Sequence, residues 1–200
     1  MTHKPVIICI TGGMGSGKTT IARIIEKKFD IPVYHADDKA KNLMHKKAIA
    51  RKIIEAFGEE SFRNGKLNTK YLAGQVFGQE KKLRKLEKIV HPEVRKDFKK
   101  WLNNQKSSFV LLENAILFKS GMDVFCDFII YVTAPEEIRI RRIMERDGLH
   151  KKEIENRLRH QPENEEFRKK SHFILRNDRS LEEIKDNIEK LIQKIKKNSM

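Results

Sequence analysis

Short, continuous runs of apolar residues alternate along the chain with longer segments whose apolar residues recur at helical spacing. Uninterrupted apolar runs are typical of strands that a parallel sheet buries on both faces. Five such runs cover residues 6–10, 33–34, 109–112, 128–132 and 173–175. The alternation predicts an α/β fold in which a five-stranded parallel sheet is flanked by helices.

The stretch between the second and third runs is far longer than one crossover helix requires. Its apolar residues recur at helical spacing from about residue 39 to 105, so we expect an inserted helical subdomain. We predict one domain, 1–200, with a core of about 1–36, 106–134 and 166–200, a helical substrate-binding insertion of about 37–105 and a small helical lid of about 135–165. A capping box of Ser180 and Glu183 predicts the start of the final helix.

A glycine-rich sequence, Gly12-Gly-Met-Gly-Ser-Gly-Lys-Thr19, follows the first apolar run and precedes an amphipathic segment. This is the strand, loop and helix order of a P-loop, in which backbone N–H groups surround a phosphate. Lys18 would reach the β- and γ-phosphates, and the Thr19 hydroxyl would ligate Mg²⁺. The sequence therefore predicts a P-loop NTPase fold that binds ATP through Gly13, Met14, Gly15, Ser16, Gly17, Lys18, Thr19 and Thr20.

The composition narrows the class of partner. The net charge is +15, but the lysines are spread along helices beside glutamates, which favours small polyanionic substrates over nucleic acid. No signal sequence and no apolar stretch near ~20 residues is apparent, so we expect no membrane partner. Cys9 and Cys126 show neither disulfide nor metal-ligand spacing, and we interpret them as small buried hydrophobes of a cytoplasmic protein.

Carboxylates follow two of the predicted strands, at the sheet edge where such folds bind ligands. Asp37 and Asp38 come after the second strand, and Glu113 ends the third. We expect Asp37 to accept the proton of a substrate hydroxyl and Asp38 to cap the helix that begins near Lys39. Glu113 is a candidate to hold Mg²⁺ through water, although a helix-start acid is an equal alternative.

Three arginines, Arg139, Arg142 and Arg146, lie at helical spacing in the segment that follows the fourth strand. One helix face would carry all three, which is the chemistry of a lid that closes on a phosphate. The alternative is a surface helix whose arginines pair with Glu136, Glu137 and Glu145.

Short sequence elements occur in a specific order along nearly the whole chain. They include the P-loop, Ala36-Asp37, Phe57-Gly58 and His91-Pro92. Further elements are Gly65-Lys-Leu67, Leu72, Phe77, Ile116-Leu117-Phe118, the 142–147 segment, Gln161 and Asn177. In the order and spacing of these elements, the chain resembles the dephospho-coenzyme A kinase family nearly from end to end. Three positions depart from the family pattern: His35, Thr69 and Lys119 stand where an aspartate, an arginine and a glutamate are expected.

The resemblance implies an enzyme that uses ATP and Mg²⁺ to phosphorylate the ribose 3′-hydroxyl of dephospho-coenzyme A. It implies Asp37 as the base, Arg142 as the lid arginine on the transferred phosphate, and Arg146 and Asn177 as further nucleotide contacts. We expect a monomer or a weak oligomer. Another P-loop small-molecule kinase, such as one acting on nucleoside monophosphates, is an alternative, and so is a nucleotide-dependent nucleic-acid-binding protein.

Overall fold

The computed structural model describes residues 4–159 and 165–199. The five apolar runs form one sheet, whose strands in spatial order are β2 (Val33–His35), β5 (Phe109–Glu113), β1 (Val6–Gly12), β6 (Phe128–Thr133) and β7 (Phe173–Arg176). Pairing is parallel, and β1 lies at the centre because Ile8 aligns with Leu111 on one side and Phe128 on the other. Each predicted strand is confirmed and extends one or two residues further.

Helices flank this sheet. Ile21 and Ile25 of α1 and Ile184 and Ile188 of α9 are buried in one cluster with strand residues such as Ile10. The capping box of Ser180 and Glu183 is confirmed at the start of α9. The helices are α1 (Lys18–Phe29), α2 (Ala36–Met44), α3 (Lys47–Phe57), α4 (Thr69–Val76), α5 (Glu80–Asn103), α6 (Glu136–Asp147), α7 (Lys151–Arg159), α8 (Glu165–Lys170) and α9 (Leu181–Asn198).

The chain divides into two compact units. The sheet unit comprises Met1–Tyr34 and Gln105–Met200, and the helical unit comprises His35–Asn104. Within the helical unit, the buried face of α5 carries Val90, Val94 and Phe98.

The helical unit also contains an antiparallel hairpin, β3 (Phe62–Arg63) and β4 (Lys66–Leu67), which the apolar pattern does not predict. Asn64 and Gly65 form its turn with φ of 52° and 72°. Both values lie in the left-handed region that a two-residue hairpin turn needs.

The start of α2 differs from the sequence prediction. The helix begins at Ala36, directly after β2, and His35 is its N-cap residue. Asp38 therefore lies inside the first helical turn, where it pairs with Lys41 at 3.2 Å, and its predicted capping role is wrong. Acidic side chains in a first turn still interact favourably with the helix dipole.

The prediction that the two cysteines are unpaired is also wrong. Cys9 and Cys126 form a disulfide with their Cα atoms 5.7 Å apart. The cause is strand pairing: β6 aligns beside β1, and Cys126 precedes β6 by two residues. The separation of 117 residues hides this proximity in the sequence.

No helix in residues 4–159 or 165–199 is long and apolar enough to cross a membrane. Gln161, one of the residues that carry the family resemblance, lies outside the described ranges.

Candidate active site

The P-loop is a tight turn between β1 and α1. Gly15 and Gly17 have φ of 76° and 90°, in the left-handed region that glycine adopts without a steric penalty. Gly17 is also the N-cap residue of α1, so the positive end of the helix dipole faces the loop. Lys18 and Thr19 open the helix and are half-buried, whereas Thr20 is exposed. This backbone has the form of an anion-binding site at a helix N-terminus.

Side chains from two other segments bind the carbonyl groups of the loop. Arg139 Nε donates to the Met14 carbonyl at 2.8 Å. Asn177 Nδ2 donates to the Ser16 carbonyl at 2.7 Å. Asn177 is only 6% exposed and directly follows β7, so the loop is held by the sheet as well as by α6.

Arg142 contacts the same region. Its Nη2 donates to the Asn177 carbonyl at 3.0 Å, and its Nη1 lies 3.4 Å from the carbonyl oxygens of Gly15 and Ser16. Burial lowers the pKa of Arg142 from its ordinary value, and repulsion from Arg141 lowers it further. The guanidinium nevertheless stays charged, because arginine does not deprotonate in proteins.

Arg146 lies one turn further along α6 and is exposed. It forms a two-point hydrogen bond with Asp147, at 2.7 and 2.8 Å. This hydrogen bond raises the pKa of Arg146 and lowers the pKa of Asp147. Arg146 therefore pairs with Asp147 rather than with the glutamates of its own helix.

Thr19 and Glu113 come together beneath the loop. The Thr19 hydroxyl donates to Glu113 Oε1 at 2.6 Å, and Glu113 is 6% exposed. Glu113 is the last residue of β5, so the helix-start alternative is excluded. An oxygen pair of this kind suits Mg²⁺, which binds few protein groups and keeps water and phosphate ligands. The described ranges contain no group of three or more His, Cys, Asp or Glu side chains able to hold a metal.

The remaining predicted positions are distributed over both units. Asp37 is exposed in the first turn of α2, within the helical unit. His35 ends β2 and Thr69 begins α4. Lys119 is an exposed residue between β5 and β6.

The sequence predicts Arg139 on the arginine face, either as a lid residue or as a partner of Glu136, Glu137 and Glu145, and does not indicate a contact with the P-loop. The structure shows its contact with the P-loop. The only sequence signal for this contact is the three-residue spacing from Arg142, which puts both side chains on one face of α6.

Comparison with known proteins agrees with this architecture. The dephospho-CoA kinase family model matches residues 6–183. A dephospho-CoA kinase of Fusobacterium nucleatum is 34% identical over 191 residues, which cover 95% of this chain and 98% of that protein.

Solved structures give the same result. A Thermus thermophilus protein has a TM-score of 0.83 at 34% identity, with 95% of this chain and 97% of that chain covered. A dephospho-CoA kinase from Campylobacter jejuni has a TM-score of 0.69 at 26% identity, with 97% and 98% covered. Because the family match runs through every strand of the sheet and the whole P-loop, this chain belongs to the dephospho-CoA kinase family.

Proposed function

We propose that this enzyme transfers the γ-phosphoryl group of ATP to the ribose 3′-hydroxyl of dephospho-coenzyme A, giving coenzyme A and ADP. The observation that carries this proposal is the family match over residues 6–183. The braced P-loop supports the nucleotide half of the reaction, since its backbone has the form that binds phosphate.

Within this proposal, catalysis is mainly positioning and charge neutralisation. Lys18 and the N–H groups of Gly15 to Lys18 hold the γ-phosphoryl group, Gly13 and Met14 complete the binding loop, and Arg142 stabilises the transferring phosphoryl group. Thr20, Arg146 and Asn177 are proposed as further contacts of the nucleotide. Asp37 takes the proton of the attacking hydroxyl.

Thr19 and Glu113 would hold Mg²⁺, the first through its hydroxyl oxygen and the second through water. When bound, this ion neutralises charge that develops on the β- and γ-phosphate oxygens. The chain's own part is to keep the two oxygen groups together, which the 2.6 Å hydrogen bond does.

The assignment of substrate binding and lid closure to separate segments of the chain is also a proposal. We assign substrate binding to the helical insertion at about 37–105 and lid closure to about 135–165, and we expect a monomer or weak oligomer without a nucleic-acid partner. We also propose a cytoplasmic location. The Cys9–Cys126 disulfide does not support this location, because disulfides are rare in reducing compartments.

The test is a steady-state phosphorylation assay with ATP, Mg²⁺ and dephospho-coenzyme A beside a panel of nucleoside monophosphates. We expect turnover with dephospho-coenzyme A and little with the monophosphates. Preferential turnover of a monophosphate would contradict the proposed acceptor. Tight, salt-dependent binding of RNA or DNA would instead favour the nucleic-acid alternative.

A further inference from the structure

The P-loop has an ordered arrangement of carbonyl groups that the proposed reaction does not by itself explain. The carbonyls of Met14, Gly15 and Ser16 all accept contacts from the side where Arg139, Arg142 and Asn177 lie. The shortest two contacts, from Arg139 at 2.8 Å and Asn177 at 2.7 Å, fall on alternate peptide groups.

Each of these carbonyls fixes the direction of an N–H group. In a planar trans peptide, the C=O of one residue and the N–H of the next point in opposite directions. Holding the Met14 carbonyl therefore turns the Gly15 N–H away from Arg139. Holding the Ser16 carbonyl likewise turns the Gly17 N–H away from Asn177.

The two N–H groups are available to a ligand. Within the ranges that the structure describes, neither the Gly15 N–H nor the Gly17 N–H donates to a protein acceptor, whereas the Ser16 N–H bonds to the Gly13 carbonyl. A glycine peptide rotates with little steric resistance, so without a brace these donors would be free to turn out of the loop.

The packing around the glycines shows that the bracing segments are built against the loop. A Cβ atom on Gly15 would lie 2.6 Å from the Arg139 carbonyl oxygen, and one on Gly17 would lie 2.0 Å from Asn177 Nδ2. Met14 packs against a buried cluster that includes Ile140 and Ile143 of α6 and Ile154 of α7. These contacts keep α6 and Asn177 in register with the loop.

We infer that Arg139 and Asn177 are positioning residues that hold the Gly15 and Gly17 N–H groups toward the phosphates of the nucleotide. For Asn177 this replaces the direct nucleotide contact proposed above, and for Arg139 it replaces closure on the phosphate, the role that the arginine face predicts. The inference rests on the proposed function only in taking ATP as the ligand.

The principal test is Asn177→Asp, which keeps the size of the side chain but puts a carboxylate oxygen against the Ser16 carbonyl. Calorimetric titration should show ADP binding weakened about tenfold or more, with adenosine binding unchanged because adenosine carries no phosphate. Arg139→Met keeps the aliphatic stem and removes the donor. It should likewise weaken ADP binding and leave adenosine binding unchanged. Arg139→Lys, which keeps one donor, should recover part of the ADP affinity.

Matched controls are available on exposed surfaces. Arg141→Met removes a neighbouring arginine of α6, and Asn103→Asp adds a carboxylate at the end of α5; both residues are exposed. Neither change should alter the affinity for ADP or adenosine. The melting temperature of each variant in the absence of nucleotide identifies any that fail to fold.

A second measurement does not depend on a variant. The ¹⁵N–¹H resonances of Gly15 and Gly17 in the wild-type protein should shift strongly on titration with pyrophosphate. Absence of that shift would overturn the inference, as would variants that bind ADP normally or lose ADP and adenosine equally. A wild-type protein that binds neither ADP nor pyrophosphate would instead overturn the proposed function, and the inference with it.

Discussion

The P-loop and the first turn of α2 would carry the two halves of phosphoryl transfer, and they are supported in different ways. Carbonyls of the loop are held by Arg139 and Asn177, and Thr19 is bound to Glu113. Asp37, by contrast, is exposed on a helix that starts where β2 ends. Backbone donors need bracing because a peptide group can turn, whereas a carboxylate in a helical turn is placed by the helix itself.

The largest effect is expected at Lys18 in the braced half. Lys18→Ala removes a charge that neutralises the growing negative charge on the β- and γ-phosphates, so turnover should fall by about four decades while the melting temperature is retained. Steady-state kinetics and thermal unfolding measure the two effects. A folded variant within about tenfold of wild-type turnover would contradict the P-loop assignment.

The half that would activate the acceptor hydroxyl is tested at Asp37. Asp37→Asn keeps the size and removes the basic oxygen, so kcat should fall by about two to four decades with less effect on the KM for ATP. Asp38→Asn is the matched control, because Asp38 is exposed in the same helical turn and pairs with Lys41 of its own helix. If Asp38→Asn loses more turnover than Asp37→Asn, the base has been assigned to the wrong residue.

Arg142 and Arg146 sharpen the comparison within one helix, since the first contacts the loop and the second is exposed. Arg142→Ala should lower kcat about a hundredfold, and Arg142→Lys should recover little, because a point charge does not reproduce a planar guanidinium. Arg146→Ala should have a smaller effect on kcat. The reverse order would assign the transferring phosphate to Arg146 and leave Arg142 as a brace.

The smallest effect on activity is expected from the disulfide, which lies wholly in the sheet unit. Reduction should lower the free energy of unfolding by about 2–4 kcal/mol, since the bond closes a long loop. Urea unfolding with and without reductant measures this change, and Cys126→Ser should be insensitive to reductant. Hydrogen exchange should rise in β1 and β6 and stay constant in α5; a uniform rise over both units would contradict a local effect.

Much of the fold follows from the sequence because its signals are local. Continuous apolar runs predict strands that are buried on both faces, and Ser180 with Glu183 predicts a helix start. The Asn64-Gly65 pair is an equally local signal for the hairpin, but the apolar residues on both sides of it recur at helical spacing, which predicts helix through this segment. Local patterns thus predict elements well where one periodicity is present.

Contacts between distant segments are harder to predict. The Cys9–Cys126 bond depends on which strands pair, and the contact of Arg139 with Met14 joins residues 125 positions apart. The start of α2 differs from the prediction for another reason: histidine, here His35, is an unusual N-cap residue, whereas aspartate is a common one. The order of the strands in the sheet, rather than residue type, brings Cys9 to Cys126 and Arg139 to Met14.

The hydrogen bond between Thr19 and Glu113 fixes the rotation of the threonine hydroxyl group. A hydroxyl carries one hydrogen and two lone pairs, and it normally turns freely about its C–O bond. Glu113 Oε1 accepts the hydrogen bond from this hydroxyl at 2.6 Å, so the lone pairs of the Thr19 oxygen are directed away from the carboxylate. The hydroxyl oxygen therefore presents its lone pairs for coordination. A cation that binds there does not need to reorient the hydroxyl dipole or to displace its proton.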